Sequence, residues 1–193
     1  MAVSTARDRL LARLLSTFGE QLPPQDASLR EIAARTGTSH ALLRYHFGSH
    51  AGVLVAMLVA LRAQDNAALT RAAADTNFAD LVERIWTLYT DPRRIARTRG
   101  FFLVVGLAAQ DPEAYQDFVA SLDDLTSLLA EVARRDGDTE ASAAMRATVV
   151  VAAIRGLLLE QVLAPAASAT PALQLILQLT TPPRTGSPDS PLS

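Results

Sequence analysis

The clearest chemical pattern lies between positions 28 and 47, where the sequence reads SLREIAARTGTSHALLRYHF. Ser28 followed three residues later by Glu31 forms a capping box, which predicts the start of a helix. Gly37 ends that short helix, and Ser39 is placed to cap the next one, HALLRYHF. Two short helices joined by a glycine-containing turn indicate a helix-turn-helix, whose second helix fits the major groove of DNA.

Side chains of the second helix suit that chemistry. Arg44 can reach guanine edges or phosphates, while Tyr45 and Ser39 can hydrogen-bond phosphates. Small residues at the start of the helix let its backbone approach the bases, and the free N–H groups of a helix N-terminus attract phosphate. The motif therefore predicts a nucleic-acid contact made by one helix.

Composition narrows the class of protein. The 193 residues carry a net charge of −2 and no cysteine, so disulfides, thiolate metal sites and cysteine nucleophiles are excluded. All basic residues are arginine, and residues 1–50 hold six of them against four acidic residues, whereas residues 51–193 are net acidic. A mildly basic end on an acidic body favours a small DNA-reading region attached to a larger module, although so small an excess also fits chance.

The remaining sequence predicts an all-α protein, because alanine and leucine dominate its apolar residues and no segment alternates as a strand. No uninterrupted apolar run reaches the length of about 18–20 residues that a membrane helix needs. The N-terminus, MAVSTARDRLLARLL, places arginines among its leucines and does not read as a secretory signal. We therefore expect a cytoplasmic protein.

Helix boundaries follow from caps, glycines and prolines. A first helix is expected from about Thr5 to Phe18 and a long one from near Ser49. Further helices are expected to open at Thr76 or Asn77, Asp91-Pro92, Asp111-Pro112, Thr139 and Thr170-Pro171. The helix that opens at Thr139 is expected to run to about Leu163. Gly100 and Gly106 predict a break or a close approach in the helix after Pro92, and one helix is expected from Pro112 to Asp136-Gly137.

Residues 28–58 resemble the DNA-binding domain of tetracycline-repressor (TetR) type regulators. The resemblance rests on Ile32-Ala33, Gly37-Thr38-Ser39, LRYHF at 43–47 and SHAGVL at 49–54. Two positions depart from the family pattern: Arg44 stands where tyrosine is usual, and His50 stands where a lysine usually grips the DNA backbone. A neutral imidazole grips phosphate less well than an ammonium group, so His50 puts the strength of that contact in doubt.

The resemblance implies a role for each matching residue. Base-facing residues would be Arg30, His40, Ala41, Leu42 and Arg44, and phosphate-facing residues would be Ser28, Ser39, Tyr45, His46 and His50. In the alternative interpretation, Tyr45 and His46 pack between helices and only shape the motif, while Ala41 and Leu42 are spacers.

The resemblance further implies two regions: a helix-turn-helix domain at 1–50 and a helical ligand-binding and dimerisation domain at 51–180. The prolines, glycine and serines that follow predict a disordered tail at 181–193. Homodimerisation is expected through helices at about 139–163 and 171–179; the alternative is a monomeric bundle with the first of these at its centre. Arg155, Glu160 and Gln161 interrupt the apolar surface of that helix and need partners across an interface or in a pocket.

An effector pocket is expected among aromatic residues of the middle helices. Its candidate residues are Trp86, Tyr89, Phe101, Phe102, Gln110, Tyr115 and Phe118. Arg97 and Arg99 are further candidates for polar contacts with a ligand. Ordinary core packing is the alternative for each aromatic. The arginines at 93, 94, 97 and 99 are expected to be solvated or to pair with acids; the alternative is that they contact an anionic effector such as an acyl-CoA.

The functional expectation is a homodimeric repressor that binds a pseudo-palindromic DNA operator and is released by a small-molecule effector, with no cofactor or metal and no enzyme activity. The same fold acting as an activator, or without an effector, stays open. A more distant alternative is a metal sensor or metalloenzyme using His40, His46 and His50, although Gly48-Ser49 interrupts the helical register that chelation would need. No glycine-rich phosphate loop or nucleophile elbow is present.

Overall fold

The computed structural model describes residues 5–165 and 169–180, and within these ranges every regular element is helical, as predicted. The α-helices are α1 (Ala6–Phe18), α2 (Leu29–Arg35), α3 (His40–Phe47), α4 (His50–Ala73), α5 (Phe78–Thr90), α6 (Ile95–Gln110), α7 (Gln116–Ala120), α8 (Asp123–Arg135), α9 (Glu140–Leu163) and α10 (Thr170–Thr180). Short 3-10 turns, Gly19–Gln21 and Pro92–Arg94, precede the loop after α1 and the start of α6. The tail expected at 181–193 lies outside the described residues.

Caps start the first helices where the sequence predicts them. Ser28 and Glu31 form the expected capping box, and the Ser39 hydroxyl accepts the N–H of Leu42 at 3.1 Å. Thr5 forms a second capping box with Asp8 at the start of α1, which the sequence reading missed. We call residues 5–49, which contain α1 to α3, the head.

The apolar core consists of two clusters. One joins buried residues of α1, α2 and α3 to the first half of α4, and it also includes Val104 and Ala108 of α6 and Phe118 of α7. The other joins the second half of α4 to α5, α8, α9 and α10. Because α4 contributes to both clusters, it links the head to the rest of the molecule. The domain division at residue 50 stays a prediction.

Helix α6 is continuous through both of its glycines. A Cβ added to Gly100 would lie 2.6 Å from Cδ1 of Leu22, so this glycine permits a close approach between α6 and the loop after α1. Nothing lies within 4 Å of a Cβ added to Gly106. Close packing rather than a break therefore accounts for Gly100.

The prediction of a single helix from Pro112 to Asp136-Gly137 is wrong, because the chain there forms a turn followed by two helices, α7 and α8. The Ser121 hydroxyl donates to the carbonyl of Phe118 at 2.7 Å, and Arg62 donates from Nη2 to the Ser121 carbonyl at 2.8 Å. Arg155 donates from Nη2 to the Leu122 carbonyl at 2.7 Å. Side chains from α4 and α9 thus satisfy carbonyls at the junction between the two helices.

Two helices, α4 and α9, are long and apolar enough to cross a membrane by length and composition alone. Each also places residues in the core, with Met57 and Leu58 of α4 and Val150 and Ile154 of α9 almost fully buried. A core helix passes the same test of length and composition, so these two helices are weak evidence for a membrane span.

Candidate nucleic-acid interface and cavity

Helix α3 has one buried and one exposed face. Leu43 and Phe47 are buried in the core of the head, whereas Ala41, Leu42 and Arg44 are exposed. Its outer face is therefore open to solvent, as contact with another molecule requires.

Tyr45 is a highly exposed aromatic side chain of the head, with 83% of its surface accessible. This exposure contradicts the alternative in which Tyr45 packs between helices. The ring of half-buried His46 lies edge-on to the ring of Tyr45, with centroids 4.9 Å apart. Over the described ranges the phenol hydroxyl of Tyr45 makes no hydrogen bond, so it can donate to an external acceptor.

The predicted phosphate-contacting serines are exposed at the N-termini of their helices. The hydroxyl oxygens of Ser28 and Ser39 accept N–H groups of Glu31 and Leu42, at 3.3 and 3.1 Å. Because the cap uses only the acceptor side of a hydroxyl, each O–H remains a donor. Arg30, beside Ser28, is also exposed.

His50 is engaged within the protein. Its Nε2 lies 2.9 Å from the carbonyl oxygen of Pro24, and since a carbonyl only accepts, Nε2 must donate. In the neutral ring Nδ1 is then an acceptor, so the imidazole offers no donor to a phosphate. This geometry counts against a phosphate contact by neutral His50. His40, also predicted to face bases, is half-buried at the start of α3.

Two further contacts position α3. Arg13 of α1 donates from Nη1 to the carbonyl of Gly37 in the turn of the motif, at 3.3 Å. Gly52 lies against the end of α3, where an added Cβ would be 1.9 Å from the carbonyl oxygen of Phe47. Sequence analysis missed both contacts, because they join residues whose proximity only the fold reveals.

The three histidines are divided between two helices, with His40 and His46 in α3 and His50 at the start of α4 beyond Gly48-Ser49. In the part of the chain that the structure describes, no group of three or more His, Asp or Glu side chains is arranged to hold a metal ion.

An apolar cavity lies between α4, α5, α6, α8 and α9. It contains about 560 Å³ of space free of protein atoms, part of it open to solvent. Its lining consists of Leu58, Arg62, Tyr89, Arg94, Arg97, Thr98, Phe101, Leu125, Ile154, Arg155 and Leu158.

Two of the predicted pocket residues, Tyr89 and Phe101, line this cavity. The other five lie elsewhere. Trp86 is buried in the core and donates from Nε1 to Oγ1 of Thr170 at 3.3 Å, and Phe118 is fully buried in the other cluster. Phe102 and Tyr115 pack at the edges of the two clusters, and Gln110 is exposed. Core packing, the alternative interpretation, describes Trp86 and Phe118.

A buried ion cluster adjoins the cavity. Asp65 of α4 pairs with Arg97 and, at 3.0 Å, with Arg94. Glu20, in the head, pairs with the same two arginines at 3.2 and 3.3 Å. The cluster therefore connects a cavity wall directly to the head. The other two arginines of the run, Arg93 and Arg99, lie outside the cavity: Arg93 pairs with Asp91, whose pKa it lowers to about 2, and Arg99 is exposed.

Sequence analysis missed Arg62, Asp65 and Glu20 as parts of this region. A signal existed for the first two, because they interrupt the apolar stripe of α4 three residues apart. Burial raises the pKa of Tyr89, and burial followed by the charge of Arg62 lowers the pKa of Arg155.

The outer face of α9 carries an apolar stripe. Its members alternate four and three residues apart, the spacing of helices that pack side by side. They are Met145, Val149, Ala152, Gly156, Leu159 and Leu163, all exposed. Leu175 and Leu179 of α10, 54% and 75% exposed, add to the apolar surface of this pair of helices.

Comparison with solved structures identifies the fold. A transcriptional regulator from Rhodococcus sp. Rha1 superposes with a TM-score of 0.66 at 23% identity, covering 91% of this chain and 94% of that one. A TetR transcriptional regulator from Legionella pneumophila gives 0.62 at 18% identity, covering 93% and 99%. A protein assigned to the TetR family from Mesorhizobium loti gives 0.60 at 14% identity, covering 93% and 95%. No protein-family model and no curated protein sequence matches the chain.

The chain therefore has the all-helical fold that these TetR-type regulators share. The predicted all-α architecture and the predicted resemblance are both confirmed at the level of the fold.

Proposed function

We propose that this protein is a cytoplasmic TetR-family regulator that binds DNA as a homodimer and represses transcription until a small molecule occupies its cavity. The observation that carries the DNA-binding part is the outer face of α3. Arg44 and Tyr45 lie exposed on a helix whose opposite face is buried, and the capping hydroxyl of Ser39 keeps its O–H available at the N-terminus. Arginine reads guanine edges, and hydroxyls contact phosphates.

The apolar stripe of α9 supports the homodimer. Val149 and Leu163 are 51% and 70% exposed, which is unfavourable for apolar side chains repeated along one helix face. Gly156 lies in the middle of the stripe with nothing within 4 Å of an added Cβ, so a second helix can approach closely there. A two-fold axis through this face would hold two α3 helices for successive major grooves, about 34–36 Å apart on a pseudo-palindrome.

Release by an effector is supported by the position of the cavity. Arg94 and Arg97 line it and pair with Glu20 of the head, so movement of these arginines changes a contact between the two regions. An effector that prefers one arrangement of the head lowers or raises DNA affinity by a population shift.

Selection of a DNA site from a random pool, followed by mobility-shift titration, tests the DNA-binding part. We expect Arg44→Ala and Tyr45→Ala to abolish specific binding without lowering the melting temperature, because both side chains are exposed. The matched control is Arg84→Ala, an exposed arginine of α5 outside the head, which should bind normally. Normal binding by both head variants would show that α3 is not the recognition helix.

Sedimentation of two valine variants tests the dimer. Val149→Arg places a charge in the stripe of α9 and should yield a monomer. Val119→Arg changes a valine that is 37% exposed on α7, away from the stripe, and should remain dimeric. A dimer for Val149→Arg would exclude this face as the interface.

A further inference from the structure

The cavity combines apolar walls with an excess of positive charge. Leu58, Phe101, Ile154 and other apolar residues form most of its lining, yet four arginines also line it. Ordinary apolar cavities do not need charged walls, because burying a charge costs free energy unless it is paired.

Two of the four guanidinium groups are compensated within the protein. Arg94 and Arg97 share the carboxylates of Asp65 and Glu20. Their charge is therefore balanced, and the cluster that contains them needs no additional anion.

Arg62 and Arg155 are different. Over residues 5–165 and 169–180, neither lies within 4.0 Å of a carboxylate oxygen. Arg62 donates to the hydroxyl and the carbonyl of Ser121, at 3.2 and 2.8 Å, and Arg155 donates to the carbonyl of Leu122. Neutral oxygens satisfy some of their N–H groups, and the Arg62 guanidinium also lies over the ring of Phe101, 5.2 Å from its centroid. Within the described ranges, neither positive charge has a directly paired carboxylate.

The surroundings make that charge costly. Burial lowers the pKa of Arg62, and burial together with the charge of Arg62 lowers the pKa of Arg155. Arginine nevertheless stays protonated in proteins, so the two cations persist beside each other. An anion placed between them would offset the repulsion between the two guanidinium groups. It would also accept hydrogen bonds from the guanidinium N–H groups that do not donate to Ser121 or Leu122.

We propose that the cavity binds a small monocarboxylate with an apolar body, whose carboxylate pairs with Arg62 and Arg155 and whose body lies against Leu58, Phe101 and Ile154. This inference names the ligand class of the effector site and so rests on the proposed function. A planar carboxylate is the natural partner of the guanidinium fork, and an apolar body matches the rest of the lining.

One negative charge fits the site better than several. The electrostatic influence of Asp124 reaches Arg62 and that of Asp123 reaches Arg155, so part of the positive charge is already offset at longer range. A polyanion would also meet the carboxylates of the ion cluster next to the cavity. The balance thus favours a ligand with a single carboxylate.

Calorimetric titration of the full-length protein without DNA tests the inference. The probes are straight-chain carboxylates from hexanoate to dodecanoate, phenylalkanoates, and the alcohol matched to each chain. We expect at least one carboxylate to bind about tenfold or more tightly than its alcohol, because hydrogen bonds to charged groups are the stronger ones. Absence of binding by every carboxylate, or equal affinity for acid and alcohol, would overturn the proposal.

Variants locate the bound carboxylate. Arg155→Gln should lower carboxylate affinity about tenfold or more and leave alcohol affinity unchanged, whereas Arg99→Gln, an exposed arginine of α6, should change neither. Should Arg155→Gln misfold by circular dichroism, Arg62→Gln serves the same comparison. Leu158→Phe fills the cavity without altering either arginine and should weaken acid and alcohol alike. Undiminished carboxylate binding by the folded arginine variants or by Leu158→Phe would overturn the assignment.

The DNA measurements remain separate. A carboxylate that binds the free protein but leaves its DNA complex intact contradicts the effector role in the proposed function and supports the cavity assignment. Failure to select any DNA site contradicts the proposed function alone.

Discussion

The arginines of the head and the arginines around the cavity occupy opposite environments. Arg30 and Arg44 are exposed and, within the described ranges, form no ion pair. Arg97 is only 5% exposed and pairs with two carboxylates. One residue type therefore serves two purposes: the exposed guanidinium groups of Arg30 and Arg44 are available to a large external anion, whereas the buried and paired guanidinium of Arg97 is part of the folded structure.

This difference has an energetic meaning. An exposed charge contributes little to stability, so its removal changes binding and leaves folding intact. A buried charge that is paired has already lost its hydration, and removing one partner leaves the other buried without compensation. The same substitution should consequently give opposite results in the two regions.

Arg97→Met should have the largest effect. It leaves Asp65, whose side chain is 8% exposed, to share Arg94 with Glu20, so two carboxylates face one guanidinium, and it should lower the free energy of unfolding by about 3 kcal/mol. Arg44→Met is the control and should change it by no more than about 0.5 kcal/mol while abolishing DNA binding. Urea denaturation at one fixed protein concentration measures both. Equal losses of stability would refute the contrast.

Gly52→Ala should come next, because it tests the junction between the two regions. Its Cβ would lie 1.9 Å from the carbonyl oxygen of Phe47, and backbone at that position moves only with α3. We expect a loss of roughly 2–3 kcal/mol. Gly106→Ala, in open space within α6, should instead stabilise by about 0.5–1 kcal/mol. If Gly52→Ala left the free energy of unfolding unchanged, the prediction would be contradicted, because α3 would then be able to move without loss of stability.

The smallest effect concerns Glu31 and depends on pH. The backbone N–H of Ser28 donates to its carboxylate, which lowers the pKa of Glu31 below its usual value of 4.5. A lowered carboxyl pKa contributes stability above the usual value, and that contribution is lost as the pH falls through the folded-state pKa. Glu31→Gln should thus reduce the melting temperature slightly at neutral pH and not in acid. Thermal melts of Glu113→Gln, an exposed glutamate outside the capping box, should show no such pH-dependent difference.

Local signals made most helix starts predictable. Ser28, Ser39, Asn77 and Thr139 each cap a helix with a hydroxyl or amide oxygen that accepts a nearby N–H, and such a cap needs only a few neighbouring residues. The exposed face of α3 was predictable for the same reason, since a short helix with a buried side must leave its other side outward.

Contacts between distant segments were not predictable. The break between α7 and α8 involves Arg62, which lies 59 residues before Ser121. Residues of five helices line the cavity, so no single stretch of sequence predicts it. Trp86 had the size and chemistry of a pocket residue, but packing in the core and its hydrogen bond to Thr170 place it outside the cavity. His50 matched a motif position, yet the Pro24 carbonyl occupies its Nε2.

The length of helix α4 lets it transmit a movement from the cavity to the head. It runs unbroken from His50 to Ala73, and Arg62 lies twelve residues from its first residue, a span of about 18 Å at the usual rise per residue. If α4 tilts as a rigid rod about the position of Arg62, a tilt of about 5° shifts the N-terminal end of the helix by roughly 1.5 Å. A displacement of that size exceeds the tolerance of a hydrogen bond. A small rearrangement beside the cavity is therefore sufficient to change the hydrogen bonds that the head makes with a bound molecule.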